Sequence, residues 1–178
     1  MATVPVTRTW VAGEVVTATH FNTNIRDVLN YLLAPPIFRA RQTVAQSVSN
    51  STDTVITFTT EDVDSAGGHS VSVNTSRYTY VYPGWMRHSG GICYVSNATG
   101  IRLLDWAKNG TGVEGTRTIL PAISGFVHSM AARTEFIFGN VGDYVELRSL
   151  QSSGGALNTS VVAGSVEQSS FNSKFDSN

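Results

Sequence analysis

The stretch from Gly90 to Gly110, GGICYVSNATGIRLLDWAKNG, limits the chain more than any other. Ile92, Tyr94 and Val95 make one β-rich run, and the polar Asn97-Ala98-Thr99-Gly100 closes it with a turn. Ile101, Leu103, Leu104 and Trp106 make a second run, which ends at Asn109-Gly110. Asn-Gly accepts positive φ at both positions, as a two-residue hairpin turn requires. The second run is apolar at neighbouring positions, so the strand it predicts is buried on both faces. The core of a sandwich would cover one face, and another layer or subunit the other.

Similar short runs recur along the rest of the chain. They cover Val55–Thr59, Ser70–Val73, Arg77–Val81, Gly91–Val95, Ile101–Trp106, Thr116–Leu120, Gly125–Ser129, Thr134–Phe138, Tyr144–Ser149, Val161–Gln168 and Phe171–Phe175. Gly67-Gly68, Pro83-Gly84, Gly142-Asp143 and Gly154-Gly155 punctuate them. Many short strands at near-regular spacing predict an antiparallel sandwich or jelly roll. Phe171 and Phe175 are costly to expose, so a final strand inserted into the sandwich is expected to bury one or both. Ser, Thr, Asn and Gly are abundant, which suits a surface built from turns.

Upstream, residues 1–16 read as an extended arm, because Pro5 and the β-branched residues around it oppose helix. Trp10, with Val11 beside it, is the one large group there and needs a pocket. We expect it to anchor the arm in a partner; the other reading packs it on the helix that follows. That helix is predicted over Thr17–Leu33, capped by Thr17 or Thr19 and stopped by Pro35-Pro36. Phe21, Ile25, Val28 and Leu32 fall at spacings of four, three and four, and Leu29 and Leu33 widen the stripe. A helix of this length is marginal alone in water, so the stripe must be covered, by the β domain or by copies of itself in a short coiled coil. The proline break favours self-association. Three segments result: an arm (1–16), a helical stalk (17–36) and a β head (37–178).

With 14% charged residues and a net charge of −1, the chain carries no basic cluster for nucleic acid. No run reaches the roughly 18 apolar residues of a membrane helix, and MATVPVTRTW lacks the apolar core of a secretory signal. Synthesis in a cytoplasm is therefore expected, and the five Asn-x-Ser/Thr triplets read as chance matches. The single cysteine, Cys93, reads as a buried small hydrophobe. Gly68-His69-Ser70-Val71-Ser72 begins like a hydrolase elbow but lacks the closing glycine, so no catalytic residue is assigned. His20, His69, His88 and His128 show no metal spacing. Glu61, Asp62 and Asp64 read as a solvated turn before a Ca²⁺ site. No cofactor and no metal are expected.

Over roughly residues 42–175 the chain resembles the jelly-roll module of the complement first-component globular heads and the tumour necrosis factor group. The resemblance rests on Thr54-Val55-Ile56-Thr57-Phe58, Asp64…Gly67-Gly68-His69 and Arg77-Tyr78…Pro83-Gly84-Trp85. It continues through Asn97-x-x-Gly100-x-Arg102, Lys108-Asn109-Gly110, Gly142-Asp143-Tyr144-Val145-Glu146-Leu147, Gln151-Ser152-Ser153-Gly154 and Ser170-Phe171. It implies a homotrimer packed about a threefold axis through aromatic and aliphatic side chains of one sheet. Tyr78, Tyr80, Tyr82, Trp106 and Phe138 are the candidates for that contact.

A second resemblance covers about 30 residues. Thr9-Trp10-Val11-Ala12-Gly13-Glu14-Val15-Val16-Thr17, Phe21-Asn22-Thr23-Asn24-Ile25-Arg26-Asp27 and Leu33-Ala34-Pro35-Pro36 look like the start of structural proteins from tailed bacteriophages. There such a leader precedes diverse β domains; His20 stands where an acidic residue is common. Together the two resemblances imply a virion protein: a trimeric fibre, spike or decoration, joined to other virion proteins by its arm and carrying an outward head. A loop with Trp85, Met86, Arg87 and His88 is the candidate for contact with a host glycan or protein. The alternatives are a free-standing carbohydrate-binding module and, more remotely, a hydrolase on a β scaffold.

Overall fold

The computed structural model describes residues 8–162 and 166–177. Thr17 caps the helix: its Oγ1 accepts from the His20 N–H at 3.3 Å, and its own N–H donates to His20 Nδ1 at 3.4 Å. His20 thus does what a glutamate does in a capping box. The helix opens with Ala18–Phe21 (α1), passes through a wider π-turn at Asn22–Arg26, and ends with Asp27–Leu33 (α2). The Asn24 side-chain amide donates to the His20 carbonyl at 3.0 Å. It competes there with the backbone N–H that would close an ordinary α-turn, and so favours the wider one.

Among the described residues fourteen strands follow. They are β1 (Ile37–Arg41), β2 (Ser47–Val48), β3 (Thr54–Val55), β4 (Thr60–Asp64), β5 (Arg77–Thr79), β6 (Gly84–Tyr94) and β7 (Ile101–Lys108). Then come β8 (Thr111–Gly112), β9 (Thr118–Pro121), β10 (His128–Ala131), β11 (Glu135–Gly139), β12 (Tyr144–Gln151), β13 (Leu157–Asn158) and β14 (Ser170–Ser177). One antiparallel sheet runs β6-β14-β1-β4, with β10 and β11 sharing the free edge of β6. The facing sheet is built on the β12–β7 pair, with β3 and β5 beside β12 and β8 and β9 beside β7. The fold is mostly β, an antiparallel jelly-roll sandwich preceded by one short helical segment.

The Asn109-Gly110 hairpin forms as expected: φ is 50° at Asn109 and 80° at Gly110, and Lys108 pairs with Thr111 across the turn. β7 is buried on both faces, and the chain covers its outer face itself. Asp105 is held there by Arg117 at 2.6 Å and by Arg148 at 2.9 Å. Phe171 and Phe175 are both buried, on β14 between β1 and β6. Burying each such ring is worth about 1.5–3 kcal/mol. Phe171 stacks among Trp106, Phe38 and Phe58 with ring centroids 5.1–5.7 Å apart.

Other expectations shift. Ile37–Arg41, at the start of the expected head but not among its expected runs, is a central strand whose residues alternate out and in. Ser70–Val73 is a turn in which the Ser70 hydroxyl accepts from the N–H groups of Ser72 and Val73. The run Gly91–Val95 is the end of an 11-residue strand that starts at Gly84. The expected strand Val161–Gln168 crosses residues 163–165, which lie outside the described residues, and its described parts are not strand. Gly90 and Gly91 mark where β10 and β14 crowd β6. A Cβ at Gly90 would lie 2.6 Å from the Ser170 carbonyl oxygen, and one at Gly91 2.7 Å from that of Met130.

Candidate functional site

Alternation along β6 decides which of its residues can meet a partner. Trp85 and Arg87 point outward from the sheet; Met86 and His88 point into the sandwich. The segment Trp85–His88 is therefore strand and not a tip loop, which corrects the expectation of a receptor loop there. His88 cannot touch a receptor at all, being completely buried against Trp106 and Phe171.

His88 instead links the two sheets' interiors. The Tyr80 hydroxyl donates to the Ile137 carbonyl at 2.7 Å, so the His88 Nε2–H, 2.9 Å away, donates to the tyrosine oxygen. His88 Nδ1 then accepts from the Ser173 hydroxyl at 2.7 Å. Burial pushes the His88 pKa down to about 3, so the imidazole is neutral at physiological pH. The Ser173 hydroxyl faces this core and not solvent.

Three of the five residues expected at a threefold contact belong to the monomer core. Tyr78, Tyr80 and Trp106 are 1%, 1% and 0% exposed. Burial also raises the pKa of both tyrosines well above the ordinary phenol range. The Trp106 indole N–H donates to the Arg133 carbonyl at 2.7 Å. These side chains are committed to holding the two sheets together, so they cannot present themselves to a second subunit. Tyr82 is half-buried against the same core.

Phe138 is different. It pairs in register with Trp85, their rings meet edge to face with centroids 5.6 Å apart, and they remain 39% and 42% exposed. The next pair along the ladder sets the Arg87 guanidinium 5.3 Å over the ring of Phe136, which is 51% exposed. Arg87 also bonds Asp176 at 2.9 Å. The result is an open aromatic patch on the outer face of the β6 sheet, bordered by a shallow hollow lined by Arg87, Ser89, Asn172 and Lys174. Sequence reasoning missed Phe136, although the alternation of Phe136, Ile137 and Phe138 carries the signal.

The helix reaches the head at the same end of this sheet. Phe175, in register with Met86 one residue after Trp85, meets the Tyr31 ring at 5.5 Å. Tyr31 is the buried residue of α2; Phe21, Ile25, Leu29 and Leu32 of the expected stripe are exposed, Leu32 at 68%, while Val28 is half-buried. In the arm, Trp10 leans edge-on against His20 at 6.0 Å, under the Arg8 guanidinium, and stays partly exposed with Val11. Residues 1–7 of the arm lie outside the described residues.

Among the described residues, the groups that could carry chemistry are engaged elsewhere. Cys93 is buried and its thiol pKa is raised by that burial. Ser70 has no base at its hydroxyl; neighbouring His69 bonds Glu61 and the Thr75 carbonyl. Asp64 accepts from the N–H groups of Ala66, Gly67 and His69, and Asp62 pairs with Arg41 at 2.8 Å. Among the described residues no group of His, Cys, Asp and Glu is placed to hold a metal ion, and no helix is long and apolar enough to cross a membrane.

No protein-family model and no curated protein matches the chain. Solved structures do. Murine APRIL at pH 8.5 superposes with a TM-score of 0.56 at 11% identity, covering 79% of this chain and 98% of that one. Murine APRIL at pH 5.0 gives 0.56 at 10% identity with the same coverage. Eiger TNF from S. frugiperda gives 0.49 at 12%, covering 80% and 92%. At this identity the APRIL structures show the fold alone: the head is a jelly roll of the tumour necrosis factor type.

Proposed function

We propose that the chain is a homotrimeric structural protein of a tailed-bacteriophage virion, a fibre, spike or decoration attached through its N-terminal arm. One observation carries the assembly. The exposed apolar stripe of the helix and the exposed Trp85–Phe138 pair lie at the same end of the head, so one threefold axis could cover both. Exposed aromatics of this size on a sheet face mark contact surfaces, and the helix is too short to leave its stripe in water. The virion assignment is supported by the leader residues Thr9–Thr17, Phe21–Asp27 and Leu33–Pro36.

Trp85 and Arg87 then belong to assembly, not to a receptor contact. A head that binds a host surface would use the end remote from the helix, where Ile123 and Phe126 are exposed. Light scattering tests the proposal with three proteins: the full chain, residues 37–178, and the full chain with Trp85→Ser and Phe138→Ser. We expect a trimer for the full chain and dissociation by the double substitution with the fold retained by circular dichroism. A monomeric full chain would overturn the trimer and return the head to the reading as a free-standing binding module. Immunogold labelling of purified particles tests the virion assignment; particles without the protein would refute it.

A further inference from the structure

At the end of the sandwich remote from the helix, two buried side chains, Arg102 and His128, lie beside the Tyr94 ring. Arg102, on β7, is fully buried, with its guanidinium carbon 5.7 Å from the centre of that ring. His128, on β10, is the register partner of Tyr94 and is 1% exposed. The Tyr94 hydroxyl is engaged by the Ser149 hydroxyl at 2.8 Å and is not available to either.

The polar atoms do not balance. Arg102 donates from NH1 to the carbonyls of Thr99 and Ile101, both at 3.0 Å, and from NH2 to that of Asn97 at 3.1 Å. Its Nε–H has no partner among the described residues. Both ring nitrogens of His128 also lack one there. A neutral imidazole always presents one donor and one acceptor, and leaving such groups unmet in the interior is destabilising. Charge is the larger imbalance. The Arg102 guanidinium meets carbonyl dipoles only, and no carboxylate reaches it among the described residues. Buried charges are stable when paired. Burial, and after it the nearby Arg102 charge, lowers the pKa of His128, so His128 adds no positive charge of its own at neutral pH.

We propose that Arg102 and His128 form a binding site for a small monovalent anion of the halide class. Such an ion accepts the Arg102 Nε–H and an imidazole N–H, and it neutralises the guanidinium. Water satisfies the same donors but leaves the charge unpaired. The loop over this end is tied by the Gly125 N–H to the Ser96 hydroxyl and by the Ala122 N–H to the Gly100 carbonyl, both at 3.0 Å.

The probe is bromide. Crystals of the full chain grown in sodium bromide are measured at the bromine absorption edge. An anomalous peak within hydrogen-bond distance of Arg102 Nε and a His128 ring nitrogen supports the site; water there, or no density, overturns it. In solution the melting temperature is followed against chloride at ionic strength held constant with sulfate. We expect a saturable rise that Arg102→Met abolishes. His128→Phe should weaken binding about tenfold, the equivalent of one hydrogen bond. An equal rise in both variants overturns the proposal. If Arg102→Met does not fold, the bromide map and His128→Phe still decide.

Discussion

Acidification should cost this protein stability through His88. In the unfolded chain the imidazole has a pKa of about 6.5; in the folded protein burial pushes it down to about 3. Between those values the unfolded state binds a proton that the folded state refuses. Stability is therefore full above pH 6.5 and falls as the pH drops toward 3, by about 1.4 kcal/mol per unit once well below 6.5. At pH 5 the loss is about 2 kcal/mol. The folded side of the ledger rests on geometry. Protonating Nδ1 would set a second N–H against the Ser173 hydroxyl, which now donates to it, in a pocket walled by Trp106 and Phe171. Urea unfolding at pH 7.5, 6 and 5, at one fixed protomer concentration, measures the loss. The comparison is with His88→Gln, which cannot titrate. The His128 pKa is lowered too and adds to the slope in the same direction, but equally in both proteins. Asp143 is held well below the usual carboxylate range by the Asn140 N–H, Lys108 and Asn109, so it contributes only below about pH 4. We expect the wild type to lose about 2 kcal/mol more than the variant between pH 7.5 and 5. Parallel pH profiles would refute the reasoning.

Tyr80→Phe removes the hydroxyl shared by the Ile137 carbonyl and His88 Nε2 and leaves both buried groups unmet. Chemical denaturation should show a loss of about 2–4 kcal/mol with an unchanged slope on denaturant. Asp105→Ala strands Arg117 and Arg148 on the outer face of β7. Because Arg117 is half exposed, we expect about 2–3 kcal/mol, less than for a fully buried pair, read from the urea midpoint. Thr17→Ala takes away the acceptor for the His20 N–H and should lower the helical signal in circular dichroism, at a cost of about 1 kcal/mol to the helix. Residues 37–178 alone should keep the β signature but associate more weakly than the full chain, which dilution in light scattering reveals.

Local rules were legible in the sequence where the chemistry is local. Asn109-Gly110 announces its hairpin because few other residues accept those φ angles. The helix shows itself by its stripe, its cap and its prolines. The jelly roll is legible in the rhythm of runs and turns, and in Phe171 and Phe175, which a sandwich must bury. Which face of a sheet a residue occupies is not a local matter. Tyr78 and Trp106 are as aromatic as Phe138, but only the register of β5 and β7 sends them inward while that of β11 turns Phe138 out. Trp85–His88 reads as a loop because Pro83-Gly84 precedes it and arginine and histidine look solvated. The inward step at His88 is made possible by two distant partners, Tyr80 and Ser173. Ile37–Arg41 hides for a similar reason, since its two arginines alternate with buried Phe38 and Ala40.

The position of β14 sets the order in which the head can come together. β1 begins at Ile37 and β6 at Gly84, yet the two do not pair with each other; each pairs with β14, which begins at Ser170. Until that strand arrives, the sheet exists as two halves with raw inner edges, and the rings of Trp106 and Phe38 lack the Phe171 that packs against both. Closure over such sequence separations is slow. During synthesis the helix emerges well before the sheet can close. If copies assemble as proposed, neighbouring nascent chains would meet stripe to stripe while their heads are still open, and open edges at high local concentration invite strand exchange.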